Sequence, residues 1–307
     1  MVSKNPMDAV KASKRKRTAT PKKTDSVRAS RTKTSAGRKK TEKGKKGKSG
    51  IWKETPRWLI WSITAFIAVL YLFYIYNNEL KPYFYRWDFG NTYRGRPVVH
   101  GIDISHHQGE INWKDLAKAE EQGSGIHFVF MKATEGSDWQ DSTFQKNFEE
   151  ARKYGFIRGA YHFFSNTSPA EKQADFFCSQ VRLMPNDLPP VLDVETKGEY
   201  GEDSLRIEVK NWLRKVEAHF GIKPIIYASR KFKERYLTDS VLDSYPFWIA
   251  HYYVDSLTYD GEWAFWQHTD RGRLPGIKGR VDMNVYNGSL ESLKKLTLAA
   301  DTLVSAK

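Results

Sequence analysis

Between Trp58 and Tyr76 the chain runs through 19 positions that are all apolar, aromatic, Ser or Thr, with no charged residue and no side-chain amide. A helix of that length, at about 1.5 Å per residue, spans roughly 28 Å, close to the hydrocarbon thickness of a bilayer. Trp58, Trp61, Tyr74 and Tyr76 stand near its ends, where amphipathic rings favour the lipid–water interface. The run predicts a transmembrane helix over residues 57–77. A cleaved signal peptide would carry a shorter apolar core nearer the start and small residues at the cleavage site, whereas Tyr74-Ile75-Tyr76-Asn77 is bulky. A buried core helix is the other competing reading. The run thus divides the chain into a part before it and a part after it, which must be read separately.

Charge divides in the same way. The formal net charge is +14, yet residues 1–50 hold 18 Lys and Arg against 3 Asp and Glu, while residues 101–307 hold 26 against 30. A uniformly basic nucleic-acid binder is thereby excluded, and no specific nucleic acid is expected as a partner. Residues 1–56 are rich in Lys, Arg, Ser, Thr and Gly and nearly lack large apolar side chains, so they cannot bury enough surface to offset ordering entropy. They predict a disordered basic tail, a candidate for contact with anionic lipid. A Lys and Arg excess on one side of an apolar span places that side in the cytoplasm and the C-terminal part across the membrane.

Residues 78–96, with Pro82, Gly90 and Gly95 and no sustained periodicity, predict a juxtamembrane linker. From residue 97 short β-rich runs alternate with helical patterns. The strand candidates are 98–104, 126–132, 157–163, 190–195, 224–229, 246–251, 263–268 and 280–286. The helical ones are 112–122, 141–154, 169–183, 203–219 and 289–304, with a shorter helix or none between the last strands. Such alternation signals parallel strands joined by crossover helices. Eight strands and five main helices predict an α/β fold, a reduced, TIM-like β/α barrel over 97–294, with 295–307 as the end of the C-terminal helix. A doubly wound open sheet is the alternative. The single cysteine, Cys178, lies in the apolar-periodic stretch Ala174, Phe177, Cys178, Val181 and reads as a buried thiol.

Chemistry in such folds gathers where the parallel strands end, so the polar residues closing apolar runs matter most. Asp103 closes Val98–Ile102, Asp193 and Glu195 close Pro190-Val191-Leu192, and Asp282 follows Arg280-Val281. Side chains alternate along a strand, so Asp193 and Glu195 share a face while Val194 points the other way. Two carboxyls sharing a partly desolvated mouth raise at least one pKa, giving the acid and its ionised partner that glycosidic cleavage requires. Closure of an eight-stranded barrel would also make the first and last strands neighbours, setting Asp103 beside Asp282. Helix capping or solvation remains the bland reading of any one of them.

Aromatic residues gather at the same strand ends: Tyr161, Tyr227, Trp248, Tyr252 and Trp266, the last followed by Gln267. Flat apolar faces beside hydrogen-bonding groups suit sugar rings, although strand aromatics often serve the core. His100, Asp103, His106 and His107 lie close in sequence but have no matching ligand cluster elsewhere, so no metal is expected.

Taken in order, these segments resemble glycoside hydrolase family 25, the Chalaropsis-type lysozymes or N-acetylmuramidases. The resemblance runs through Gly101-Ile102-Asp103-Ile104-Ser105, Phe128 to Gly136, Gly159-Ala160-Tyr161-His162-Phe163, Pro190 to Glu195, Pro224 to Tyr227, Trp248-Ile249-Ala250, Trp266-Gln267 and Gly279 to Asn284. It implies cleavage of β-1,4 bonds between N-acetylmuramic acid and N-acetylglucosamine in peptidoglycan glycan strands, without a cofactor. It also implies Glu195 as general acid, Asp193 as the group assisting the reacting sugar, and Asp103 and Asp282 as companion carboxylates. The candidate substrate-binding residues are Tyr161, Glu135, Lys132, Tyr227, Trp248, Trp266, Gln267 and Asn284. With the charge bias, the expected location is the inner membrane of a bacterium, crossed once by 57–77, with the barrel periplasmic or extracellular. A non-catalytic wall-binding module on a tether, or a function carried mainly by the tail, stays open at this point.

Overall fold

The protein is described from a computed structural model over residues 56–76, 92–119 and 125–299. The predicted tail, except its last residue, most of the linker and the residues after 299 lie outside the described residues. Helix α1 covers Arg57–Ile75 and has no buried residue. Its two polar side chains of the central run satisfy themselves on the preceding turn, Ser62 Oγ donating to the Trp58 carbonyl (2.8 Å) and Thr64 Oγ1 to that of Ile60 (2.9 Å). That is what hydroxyls in an apolar surrounding require.

Strands β1 (Thr92–Tyr93) and β2 (Arg96–Pro97) form a small hairpin, and Tyr93 anchors it by accepting from the Leu257 backbone N–H at 2.7 Å. Then come β3 (Val99–Ile104), α2 (Trp113–Ala119), β4 (Ile126–Glu135), β5 (Trp139–Gln140), α3 (Phe144–Lys153), β6 (Ile157–Phe163) and α4 (Ala170–Gln180). The chain continues with β7 (Val191–Asp193), α5 (Glu202–Phe220), β8 (Ile225–Ser229), α6 (Arg230–Tyr236), β9 (Phe247–Ala250), β10 (Phe265–Gly272), β11 (Val281–Tyr286) and α7 (Leu290–Leu296).

Eight of these strands close a barrel in the order β3-β4-β6-β7-β8-β9-β10-β11, with β11 returning to β3. The open sheet is thereby ruled out. The neighbours from β3 round to β10 are parallel, but β11 is antiparallel to both β10 and β3. The expectation of parallel strands is corrected there. Residues 273–280 form no helix, and an antiparallel partner can be reached by a short loop whereas a parallel one needs a crossover. Helix α6, seven residues long, is the short helix expected after β8. One helix departs from expectation. Helix α7 stops at Leu296 instead of running on to 304, because Thr297 turns extended and Leu298 pairs its backbone with Asn186 and Asp187.

Alternation along each strand divides the core in two. Outward residues such as Ile102, Val129, Leu192, Ile226 and Ile249 pack under the helices with Phe177, Trp212 and Val216. Inward residues Val99, Phe128, Phe130, Val191, Ile225, Trp248 and Phe265 fill the barrel. Glycines at 101 and 159 admit that filling: a Cβ there would lie 2.4 Å from the Phe128 ring and 2.5 Å from the Phe130 ring. The floor is therefore closed by stacked aromatics, and only the far end of the barrel remains for chemistry. Cys178 is half-buried at the helix layer, and burial pushes its thiol up to about 12, leaving it unreactive.

Candidate active site

Above the aromatic floor the strand ends enclose a cavity of about 120 Å³ lined by Asp103, Tyr161, Asp193, Glu195, Tyr227, Trp248, Tyr252, Gln267 and Asp282. All four predicted carboxylates line it. Asp193 ends β7, and the ladder extends one step beyond it through the Val194 N–H to the Tyr227 carbonyl (3.0 Å), so alternation continues to Glu195. Val194 is fully buried in the outer layer, as the i and i+2 argument requires. Asp103 lies directly opposite Asp282 in the β3–β11 register. Asp282 is only the second residue of β11, and it reaches the mouth because that strand runs the other way.

A single amide organises the pair. Gln267 Nε2 donates to Asp103 Oδ2 (2.8 Å) and Asp282 Oδ2 (3.2 Å), while its Oε1 accepts from the hydroxyls of Tyr227 and Tyr252, both at 2.7 Å. Asn284 Nδ2 also donates to Asp103 Oδ2 (2.8 Å), and its Oδ1 accepts from Trp248 Nε1 (2.9 Å). Burial, together with the negative charge of Asp103, raises Asp282, and burial raises Asp103 against the hydrogen bonds it accepts. Two buried carboxyls this close resist ionising together, and both shifts run in that direction.

Asp193 is buried and its Oδ1 has no hydrogen-bond partner among the described residues; burial first, then the charge of Glu195, holds its carboxyl well above the usual range. Glu195 stands at the rim, and partial burial raises it too. The positive charge of Lys132 opposes both shifts. Lys132 and Glu135 pair with each other at 2.6 Å beside the cavity, outside its lining, and Lys132 lies over the rings of Phe163 and Trp139. A bulge between Lys132 and Thr134 puts them on one face although they are three residues apart.

Two further predicted substrate contacts lie outside the cavity lining. Trp266 points out of the barrel, fully buried against Tyr93 (ring centroids 5.3 Å) with Nε1 donating to the His251 carbonyl. Adjacent residues on a strand face opposite ways, so Trp266 and Gln267 cannot both reach the mouth. Asn284 is fully buried with its amide engaged by Asp103 and Trp248, so in this structure it holds Asp103 in place from behind the cavity wall. Tyr161, Tyr227, Trp248 and Gln267 do line the cavity, although Tyr227, Trp248 and Gln267 spend their polar atoms within the protein. Tyr252, seen in the sequence among strand-end aromatics but left out of the candidate set, belongs to the site. Its spacing from Trp248 and Ala250, two residues at each step, was the available signal.

The histidines near Asp103 are otherwise engaged. Both the backbone N–H and Nδ1 of His106 lie on Asp141 Oδ2, at 2.8 and 3.0 Å, and its ring packs on His107 and Trp139. Among the described residues no three His, Cys, Asp or Glu side chains group as metal ligands.

The profile of the Glycosyl hydrolases family 25 matches residues 102–277. YegX of Escherichia coli strain K12 is 38% identical over 258 residues, covering 78% of this chain and 94% of its own. Lysozyme M1 of Streptomyces globisporus is 35% identical over 221 residues, covering 66% of this chain and 72% of its own. Among solved structures, a bacterial lysozyme from Streptomyces coelicolor superimposes with a TM-score of 0.60 at 33% identity, over 66% of this chain and 98% of that one. A family 25 glycosyl hydrolase from Bacillus anthracis also gives 0.60, at 32% identity over 67% and 96%.

Proposed function

Because the chain belongs to glycosyl hydrolase family 25, and is thus a glycoside hydrolase of the lysozyme type, we propose that it cuts β-1,4 bonds between N-acetylmuramic acid and N-acetylglucosamine in peptidoglycan. The carrying observation is the convergence of Asp103, Asp193, Glu195 and Asp282 on one cavity at the barrel mouth.

In this reading Glu195 is the general acid. It is the one carboxyl of the four that also borders the adjoining cavity, so a saccharide bridging the two must cross it. Its raised pKa keeps a proton available to a higher pH than an ordinary Glu would. That proton goes to the glycosidic oxygen as the bond to the anomeric carbon breaks. The substrate's acetamido oxygen attacks the same carbon from the other face, with Asp193 held against the acetamido group and the growing positive charge. Water deprotonated by the Glu195 carboxylate then opens the cyclic intermediate, leaving a new reducing end with retained configuration. Burial and the charge of Glu195 favour the protonated form of Asp193 in the free protein. Positive charge developing at the sugar favours an ionised Asp193, which leaves the proton on Glu195 where it is used. Asp103, Asp282 and Gln267 fix the wall of the pocket, and Tyr161 and Trp248 face the sugar.

The apolar helix α1 is read as a tether with the barrel outside the cytoplasm. A likeness to YegX covering 78% of the chain cannot fit between residue 92 and the C-terminus, so it takes in part of α1. A tethered lysozyme acts on its own cell's wall, which points to remodelling or turnover, and the basic tail would contact anionic lipid on the cytoplasmic face. Alkaline phosphatase fused after Tyr76 is expected to be active and the same reporter at Met1 inactive; the opposite pattern would put the barrel out of reach of any wall.

Digestion of purified peptidoglycan by the full chain, followed by mass spectrometry, is expected to give fragments with new N-acetylmuramic acid reducing ends. Sedimentation with the wall but no new reducing ends would make the protein a binding module and overturn the assignment.

A further inference from the structure

A second cavity, of about 310 Å³, adjoins the acid pocket and shares Glu195, Tyr227 and Tyr252 with it. Its remaining lining is Ser229, Arg230, Lys231, Ala250 and His251, from the ends of β8 and β9 and the first turn of α6. The two cavities have opposite chemistry. The first is walled by carboxyls. The second carries two cations and no acid apart from the shared Glu195. In the ring of eight strands β8 lies across from β3, and β9 across from β4, so these cations face the mouth from the side opposite Asp103.

Arg230 is held ready there. Its Nη1 donates to both carboxylate oxygens of Glu234, at 2.8 and 3.0 Å, which fixes the plane of the guanidinium. Its Nε is buried and has no hydrogen-bond partner among the described residues, and the same is true of Nδ1 of His251. Only Nη1 of this guanidinium is bonded among the described residues, which leaves donors of the same side chain for a ligand in the cavity. Lys231 is exposed at the same edge.

We propose that this cavity receives a carboxylate carried by the saccharide unit next to the cleaved bond, with Arg230 and Lys231 supplying the charge and the Arg230 guanidinium the hydrogen bonds. The proposal rests on the lysozyme reading above and deepens it. Of the two sugars in the strand, only N-acetylmuramic acid bears carboxylates, on its lactyl group or on the peptide attached there. Recognition of that group would let the enzyme tell the two sugars apart and set which bond enters the acid pocket.

The test uses the full chain in detergent and measures kcat/KM on glycan strands freed of peptide, on peptide-bearing strands, and on each after carbodiimide coupling to methylamine, which neutralises the carboxylates. The unaltered protein is expected to prefer free over blocked strands by roughly tenfold, the size of one charge-assisted contact. Replacing Arg230 and Lys231 together by Gln is expected to bring that ratio close to one. Glu234→Gln, which leaves the guanidinium uncompensated, is expected to widen it, and keeps the test open if the double variant does not fold. A preference seen on stripped strands identifies the lactyl carboxylate; one seen only on peptide-bearing strands identifies the peptide. Equal rates on free and blocked strands, or a ratio unmoved in both variants, would overturn the proposal. Failure to cut any strand would instead sink the lysozyme reading.

Discussion

Glu195→Gln is expected to lower kcat/KM on peptidoglycan by about 1,000-fold while leaving sedimentation with the wall intact, since general acid catalysis contributes roughly 10² to 10⁴. The amide keeps the shape of the carboxyl at the rim but has no proton to give. The pH profile carries a second part of the same expectation. A carboxyl whose pKa is raised stays protonated to a higher pH, so acid-catalysed turnover is present below the raised value and lost as pH climbs through it. The alkaline limb of the unaltered enzyme should therefore lie above the ordinary Glu range. Removing the charge of Glu195 also relieves the repulsion that raises Asp193, so Asp193, followed by NMR titration, should shift down in the variant. Activity that survives Glu195→Gln would remove this residue from the role of acid.

Arg158→Met is expected to cost about 3–5 kcal/mol of folding stability, and to lower Tm by roughly 10 °C for a domain of this size. Arg158 is the second residue of β6 and is buried. Its guanidinium donates to both oxygens of Asp187 (2.7 and 3.0 Å) and to the Phe148 carbonyl (2.5 Å), and it lies 3.8 Å over the Phe148 ring. Asp187 in turn accepts from the Met184 backbone N–H and ties the segment before β7 to the chain after α7 through its own carbonyl. Losing the cation leaves a buried carboxylate held only by the Met184 N–H and the more distant Arg152 (3.8 Å), which is the expensive outcome. Adding Asp187→Asn to Arg158→Met removes the stranded charge and should recover much of the loss. Calorimetry of the single and double variants decides it: a single variant as stable as the parent would mean the pair is solvated and without structural weight. Both residues lie at the closed end of the barrel, so turnover by the folded fraction should be little changed.

Neither of these pairs was equally visible beforehand. The carboxylates at 193 and 195 could be placed on one face from spacing alone, because strand side chains alternate with a period of two whatever the fold. Nothing comparable announced the partnership of Arg158 and Asp187. The two are 29 residues apart and meet only because β6 and the segment before β7 start from the same end of the barrel. Lys132 and Glu135 were legible as residues of interest but not as neighbours, since a regular strand puts positions three apart on opposite faces and only the bulge reverses that. Trp266 shows the converse failure: residue type suggested a sugar platform, and the pleat turned it into the helix layer.

What the chain's own order of residues determined is therefore local: the number and limits of most strands, the apolar run over 58–76, the strand-end positions of Asp103, Asp193 and Glu195, and the shared face of the last two. These follow from periodicity and hydropathy, which act between near neighbours. Only the closed barrel decided that β11 runs against its neighbours, bringing Asp282 from the start of its strand to stand opposite Asp103, and that Gln267 reaches both acids and both tyrosines. With the Asn284–Asp103 hydrogen bond beside them, those contacts join residues up to 181 positions apart, and a hydrogen bond over that separation exists only once the whole ring has closed.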